Sequence, residues 1–153
     1  MKRKLLYGFG IVITLAIVAF GYYAISPLFI NIKVDEKVPM MQGEKNSVSI
    51  PITGTAGHPA SGTVRVIDAN SKTYIRYENF KTINGPDLYV YIAKDLEAKE
   101  YANLGTLRAT EGNVNYEIPA DVNLQDYKYV MVWCKAFGVL FNYADISETF
   151  KQQ

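Results

Sequence analysis

The chain contains one cysteine, Cys134, and one histidine, His58, and these two side chains limit the chemistry that it can perform. A single cysteine excludes a disulfide within the chain, a zinc or iron–sulfur site with four cysteines, and haem attachment through two cysteines. A single histidine excludes a metal site with two histidine ligands from one chain, such as a blue-copper site. Any thiol chemistry must therefore involve Cys134.

Two roles of Cys134 are compatible with the sequence around it. Free cysteines are often small buried hydrophobic residues. The alternative role is a thiolate that carries electrons or binds a metal or a haem iron, and the adjacent Lys135 would lower the thiol pKa if the two side chains were close. Neighbouring residues of a strand point to opposite faces, so this support is weak. An unpaired thiol outside the reducing cytoplasm is unusual, which keeps the redox role open.

His58 takes part in two weaker combinations. Met40 and Met41 precede it in a loop and could bind copper with it, although loop methionines more often pack against the protein. A hydrolase dyad would pair Cys134 with His58, but the sequence shows no third group to orient them. Neither combination is favoured over simple packing.

Asp87 and the tyrosines are the remaining polar candidates. Asp87 follows Gly85-Pro86 and is either a site carboxylate or a residue that caps a turn. Nine of the twelve tyrosines lie between Tyr74 and Tyr143. Tyrosines at alternating strand positions usually pack half-buried. The functional alternatives are a stacking surface for a ligand and a relay for electrons.

The segments that would position these residues read as β-strands. Apolar residues alternate with polar ones, and turn residues recur about every 8–12 positions, which favours an antiparallel β-sandwich or barrel. Cys134 should share the face of Val130 and Val132. Glu111-Gly112-Asn113 predicts a hairpin turn, and residues 94–102 predict a connecting turn. The predicted strands are 63–67, 72–77, 88–93, 105–110, 114–118, 129–134 and 139–141.

Residues 5–25 form a run of 21 uncharged, mostly apolar residues. As a helix this run is about 31 Å long, the thickness of a bilayer core. Lys2, Arg3 and Lys4 precede it, which predicts a cytoplasmic N-terminus with the chain after Pro27 outside the cell. A cleaved signal peptide is the alternative, but its apolar core has only about 7–15 residues. We therefore expect an uncleaved, single-pass anchor in the cell membrane that contacts lipid through residues 5–25.

The composition of successive segments and the positions of glycine and proline predict the domain organisation. We expect a basic tip and transmembrane anchor over 1–27, and an extracytoplasmic stalk over 28–61 whose start could add an edge strand. A β domain over 62–146 and a tail over 147–153 follow. Beyond the three N-terminal cations the chain carries 13 basic and 15 acidic side chains, so nothing favours nucleic acid as a partner.

Several motifs occur in a distinctive order within the β region. They are Asn79-Phe80, Gly85-Pro86-Asp87-Leu88-Tyr89-Val90-Tyr91, Leu104-Gly105-Thr106-Leu107, Asn115-Tyr116-Glu117-Ile118-Pro119 and Val132-Trp133-Cys134-Lys135-Ala136-Phe137. By these motifs, residues 62–146 resemble the DM-thirteen domain family, which is catalogued as an electron-transfer domain and found beside DOMON domains in Skeletor-type proteins. The resemblance implies a β-sandwich-like extracytoplasmic module in which Cys134 occupies the position of the family's proposed redox cysteine.

Two classes of function remain open, and an electron-transfer or binding module is favoured over a turnover enzyme, which the sequence leaves undecided. The first is a membrane-anchored redox or electron-transfer module centred on Cys134. Its candidate cofactor is a haem or a metal bound through Cys134, and its candidate partner is a redox protein. The second is a non-catalytic binding or adhesion module that contacts another envelope protein or a glycan, with Cys134 merely packed in the core.

Overall fold

The computed structural model describes residues 2–39 and 48–150. The first element is a helix, α1 (Lys2–Ile25), followed by a 3₁₀ turn over Ser26–Phe29. Pro27 lies in the first turn of that segment, where a backbone N–H has no helical partner, so the missing N–H of proline costs no hydrogen bond. Ten strands follow: β1 (Lys33–Asp35), β2 (Ile50–Pro51), β3 (Thr53–Gly54), β4 (Ala60–Ala69), β5 (Lys72–Thr82), β6 (Leu88–Ala93), β7 (Tyr101–Thr106), β8 (Glu111–Glu117), β9 (Tyr129–Cys134) and β10 (Val139–Asp145).

The N-terminal helix is apolar on every side. Large hydrophobic side chains from Tyr7 to Ile25 are exposed around its whole circumference. Within the described residues, Tyr7–Phe29 is the one helical segment long and apolar enough to cross a membrane. Length and composition carry this assignment, and a signal sequence near an N-terminus can meet the same two criteria.

The strands form a two-layered sandwich. The first sheet has the order β1-β8-β5-β4-β2, and the second has the order β3-β10-β9-β6-β7. All pairings are antiparallel except that of β1 with β8. The sandwich alternative was therefore the right one, since the two sheets do not close into a barrel. Strands β1–β3 lie within the predicted stalk and pair with strands of both sheets.

One predicted hairpin is wrong. Residues 107–110 are not a strand, because β7 ends at Thr106, and Glu111-Gly112-Asn113 begins β8 instead of forming a turn. The chain crosses between the sheets there, from β7 in the second to β8 in the first. Gly112 is required by a tertiary contact: its φ is +112°, and a Cβ atom would lie 1.9 Å from the Val34 carbonyl oxygen on β1. The sequence suggested that this glycine formed a turn, but its role is to let β1 approach β8 closely. Residues 94–100 connect β6 to β7 as predicted, but the last two residues of the predicted turn, 101 and 102, already belong to β7.

The core lies between the two sheets, where the inward side chains of both meet. The first sheet contributes Val64, Ile75, Tyr77 and Val114, and the second contributes Val90, Ile92, Val130 and Val132. Alternation along each strand selects these residues, because successive side chains of a strand face opposite sides. A second apolar cluster lies on the outer face of the second sheet, around Tyr91, Ala93 and Met131.

Candidate functional site

Cys134 is the last residue of β9 and lies inside the core. It pairs with Leu88 on β6 and with Val139 on β10, and its relative exposure is 0%. The thiol belongs to the inter-sheet cluster together with Val130 and Val132. The predicted facing of Cys134 is therefore confirmed.

Two loops cover the thiol at this end of the sandwich. The thiol of Cys134 donates a hydrogen bond to the Pro86 carbonyl oxygen at 3.0 Å. The next backbone N–H, that of Lys135, donates to the Asp87 carbonyl oxygen, also at 3.0 Å. These two bonds join the Gly85–Asp87 turn to the β9–β10 hairpin. We call the two joined loops the thiol cover.

The backbone of the thiol cover enters the left-handed region in both loops, and it is strained at Asp87. Asp87 has φ +60° and Gly138 has φ +62°. The left-handed region costs a residue with a Cβ atom about 1–2 kcal/mol, and glycine much less. Asp87 itself is exposed, and its backbone carbonyl group, rather than its carboxylate, makes the bond that closes the cover.

Burial raises the pKa of the Cys134 thiol. Hydrogen bonds from the backbone at Phe137 and Ala136 oppose this shift, and the negative charge of Asp87 adds to it. The Lys135 ammonium does not contribute to these effects: it stands over the Tyr89 ring, 5.3 Å from the centroid. Beneath the thiol cover Cys134 is therefore a protonated thiol and a poor nucleophile at neutral pH.

His58 lies in a separate network beside the thiol cover. Its Nδ1 is 3.2 Å from the Thr55 hydroxyl oxygen, which also donates to the Leu140 carbonyl oxygen at 2.7 Å. The imidazole stacks on Phe141 with 4.0 Å between the ring centroids. Within the described residues no hydrogen bond joins His58 to Cys134, so the geometry of a hydrolase dyad is not formed. Met40 and Met41 lie outside the described residues.

Phe141 connects the two networks by packing. A Cβ atom on Gly85 would lie 2.8 Å from the tip of the Phe141 ring, so glycine is needed there for the turn to close. Pro86 and Phe141 are the site residues that sequence reasoning missed as parts of the thiol's surroundings. The Gly85-Pro86 pair signalled a turn, but nothing in the sequence indicated which strand end the turn would cover.

Comparison with known families gives a match at this domain. A sequence model described as electron transfer DM13 matches residues 53–146. The chain belongs to the DM13 family. The match takes in every strand from β3 to β10 and the whole thiol cover. No curated protein and no solved structure was found to be similar to the chain.

The described part of the DM13 domain does not assemble a metal site. No group of three or more His, Cys, Asp or Glu side chains within the described residues is placed to hold a metal ion. The Cys134 sulfur is fully enclosed and makes its hydrogen bond to a backbone carbonyl oxygen. The residues that surround this thiol therefore do not fit a metal ion or a haem iron.

The tyrosines of the DM13 domain divide between the two faces of its sheets. Tyr77 and Tyr116 are buried in the core, with an edge-to-face contact of 5.9 Å between their centroids. Those on the second sheet lie on its outer face, where Tyr91 stacks on Tyr101 at 4.2 Å. Tyr129 and Tyr143 make an edge-to-face pair there at 5.8 Å. This half-buried aromatic face is a packing layer and also a candidate contact surface.

Proposed function

We propose that the chain is a membrane-anchored, extracytoplasmic electron-transfer domain whose redox group is the Cys134 thiol. The observation that carries the proposal is the thiol cover: the one cysteine of a DM13 domain lies directly beneath two loops joined by one backbone hydrogen bond. Opening these loops exposes the sulfur without separating the sheets. A residue that served packing alone would not need to lie at a strand end under a strained turn.

The chemistry proposed is thiol–disulfide exchange with partner proteins, because a single thiol cannot form a disulfide within the chain. When the cover opens, Cys134 loses its proton to solvent, and its thiolate attacks a partner disulfide. One new sulfur–sulfur bond forms, and one partner sulfur leaves as a thiolate. A thiolate of a second partner then attacks the Cys134 sulfur of this mixed disulfide and releases the other sulfur of the first partner as a thiolate. A second thiolate of the second partner attacks that partner's own bonded sulfur, which closes a disulfide there and releases the Cys134 thiolate. The disulfide of the first partner has become two thiolates, two thiolates of the second partner have become a disulfide, and the electron pair has passed from the second partner to the first.

The membrane arrangement proposed places the helix in the bilayer and the DM13 domain outside. It is supported by the three cations before the apolar run and by the scarcity of protein disulfides, with which Cys134 would react, in a reducing cytoplasm. Protease added to intact cells should remove the DM13 domain and leave the helix in the membrane. Full protection of the domain, or release of a shortened soluble form, would contradict this arrangement.

The redox role is tested by the reactivity of the native thiol. The full chain, in detergent and without denaturant, is mixed with a small aromatic disulfide, and the released thiolate is followed by absorbance. We expect slow, complete reaction of the wild type and none of Cys134→Ala. Gly85→Ala should react several times faster, because its Cβ clashes with Phe141 and loosens the cover. Gly105→Ala is the control: it strains β7 at φ +111°, away from the cover, and should leave the rate unchanged.

A thiol that reacts only at urea concentrations that unfold the domain would overturn the redox role. In that case Cys134→Ser should behave as a core defect. The shorter serine side chain would hold its hydroxyl farther from the Pro86 carbonyl oxygen, and a buried hydroxyl without its hydrogen bond would destabilise the domain by about 1–3 kcal/mol. Cys134→Ala would leave a small cavity and cost somewhat less. A partner trapped in cells as a mixed disulfide with Cys134 would favour the redox role independently.

The second candidate function is binding without redox chemistry. The observation that favours it is the aromatic outer face of the second sheet, with Tyr91, Tyr101 and the half-buried Trp133. Such a face suits an envelope protein or a glycan, because tyrosine offers a flat apolar ring and a polar tip. Binding to an envelope extract that survives in Cys134→Ala but not in Tyr101→Ala would favour this function over the redox role.

A further inference from the structure

The tip of the β9–β10 hairpin concentrates exposed apolar side chains. Among the residues from 48 to 149 whose side chains the structure describes, three large hydrophobic side chains are exposed, namely Tyr101, Phe137 and Val139. Two of these three lie in the tip, where Phe137 has 46% relative exposure. Residues 136–139 are all uncharged and exposed. Four exposed, uncharged residues in a row at one hairpin tip indicate a surface that contacts an apolar partner.

The tip lies against the N-terminal helix. The Phe137 ring packs edge-to-face on Phe20, with 6.2 Å between the centroids. Phe20 precedes the helix end at Ile25 by five residues, which is about 7–8 Å along the helix axis. A bilayer crossed by residues 5–25 therefore places the Phe137 contact below its surface. The depth agrees with that of apolar groups of interfacial segments, about 5–10 Å into the head-group and acyl boundary.

The chain after the helix holds the same end of the sandwich close to the membrane. The Asn84 side-chain amide donates to the Ile30 carbonyl oxygen at 3.1 Å. Ile30 is only five residues beyond the helix end, and Asn84 directly precedes the Gly85–Asp87 turn of the thiol cover. Phe29, between the helix and this contact, has 85% relative exposure. Both loops of the cover thus have a contact with the helix or with the segment that follows it.

We infer that the β9–β10 hairpin tip enters the lipid bilayer beside the anchor, with Phe137 and Val139 in the acyl boundary and the Lys135 ammonium at the level of the head groups. The inference rests on the proposed membrane anchoring and goes beyond it. It orients the domain with the Cys134 end toward the membrane. A partner of the thiol must therefore reach it along the membrane surface, and leaving the bilayer would free the hairpin half of the cover.

The depth of the tip is measured by fluorescence quenching in nanodiscs. Each variant of the full chain carries Trp133→Phe and one new tryptophan, and the bilayer is phosphatidylcholine with or without lipids brominated near the head-group end and near the middle of their acyl chains. Phe137→Trp reports the tip. Leu15→Trp, in the middle of the helix, reports the anchor. Glu97→Trp is the control, because it lies in the exposed loop after β6, about 20 Å along the strands from the tip.

We expect brominated lipid to quench Phe137→Trp at least half as strongly as Leu15→Trp, and to leave Glu97→Trp unquenched. Quenching of Leu15→Trp without quenching of Phe137→Trp would overturn the inference and leave the anchor intact. Absence of quenching at Leu15→Trp would overturn the anchor itself. Equal quenching of Phe137→Trp and Glu97→Trp would show a domain lying on its side, which also contradicts the inference.

Discussion

The two sheets bury their inner faces in the same way, but their outer faces are stabilised by opposite kinds of interaction. On the first sheet, Arg76 lies on the outer face with 4% relative exposure and donates to the Glu78 carboxylate at 2.8 Å. It also donates to the Asn115 side-chain oxygen and to the Glu36 carbonyl oxygen of the chain after β1. A polar network closed by a distant segment covers this sheet.

Within the described part of the chain, no comparable network of buried charges covers the outer face of the second sheet. Met131 and Tyr91 are buried there by aromatic neighbours of the same sheet and by Leu96 and Ala98 of the β6–β7 loop. The difference teaches that the cover of the first sheet depends on a buried charge whose hydrogen bonds include groups far along the chain. The cover of the second sheet depends on apolar residues that alternate along its own strands and on the β6–β7 loop beside them.

The largest effect should come from breaking the polar network. Arg76→Ala removes a buried cation and leaves the Glu78 carboxylate, whose side chain has 20% exposure, without its shortest ion-pair contact. We expect a loss of about 4 kcal/mol in the free energy of unfolding. Urea unfolding of the full chain in detergent, followed by Trp133 fluorescence, measures it. Lys72→Ala, which breaks the exposed pair with Glu117, is the control and should change little. Equal losses would show that burial of the pair is unimportant.

The next effect tests the apolar outer face of the second sheet. Met131→Ala leaves a cavity under the tyrosines and should cost about 3 kcal/mol, whereas Met131→Leu, which conserves volume, should cost less than about 1.5 kcal/mol. The same unfolding measurement applies. If Met131→Ala were neutral, the aromatic layer would be a loosely held contact surface and not a packed one.

Alkaline pH should weaken the second sheet through Tyr91. Burial first, and then the neighbouring Tyr101, raise the pKa of Tyr91 to about 12 from an ordinary value of 10.0. The folded state therefore holds this proton more tightly than the unfolded state. The resulting stability is fully present below pH 10 and is lost as the pH rises toward 12. Tyr91→Phe should flatten this decline in the free energy of unfolding, and an unchanged slope would assign the decline to other groups.

The smallest effect should come from the exposed edge of the aromatic layer. Tyr101→Ala removes the ring that stacks on Tyr91 at 18° between the ring planes, and should cost about 1 kcal/mol. Tyr101→Phe keeps the stack and serves as the control in the same unfolding experiment. A loss as large as that of Met131→Ala would mean that Tyr101 is a central packing residue of the aromatic layer and not an exposed residue at its edge.

The candidate site was predictable in part. The single cysteine, its strand and its face followed from composition and from alternation over 129–134, because a strand has only two faces and the valines mark the inner one. The cover over the thiol was not predictable. The bond from Cys134 to Pro86 spans 48 residues, and periodicity within a segment carries no information on which distant turn will meet a strand end.

By itself the sequence determined the features that depend on neighbours along the chain: the apolar helix over 5–25, the alternating strands and their inner faces. Only the tertiary structure decided the features that depend on contacts between distant segments. It assigned Gly112 to a strand instead of a turn, because β1 approaches β8 there too closely for a side chain. It also made Arg76 a buried residue, since its cover comes from Glu36, which lies 40 residues earlier in the chain. Local patterns set which face of a strand is apolar, but burial of a charge requires partners that only folding brings together.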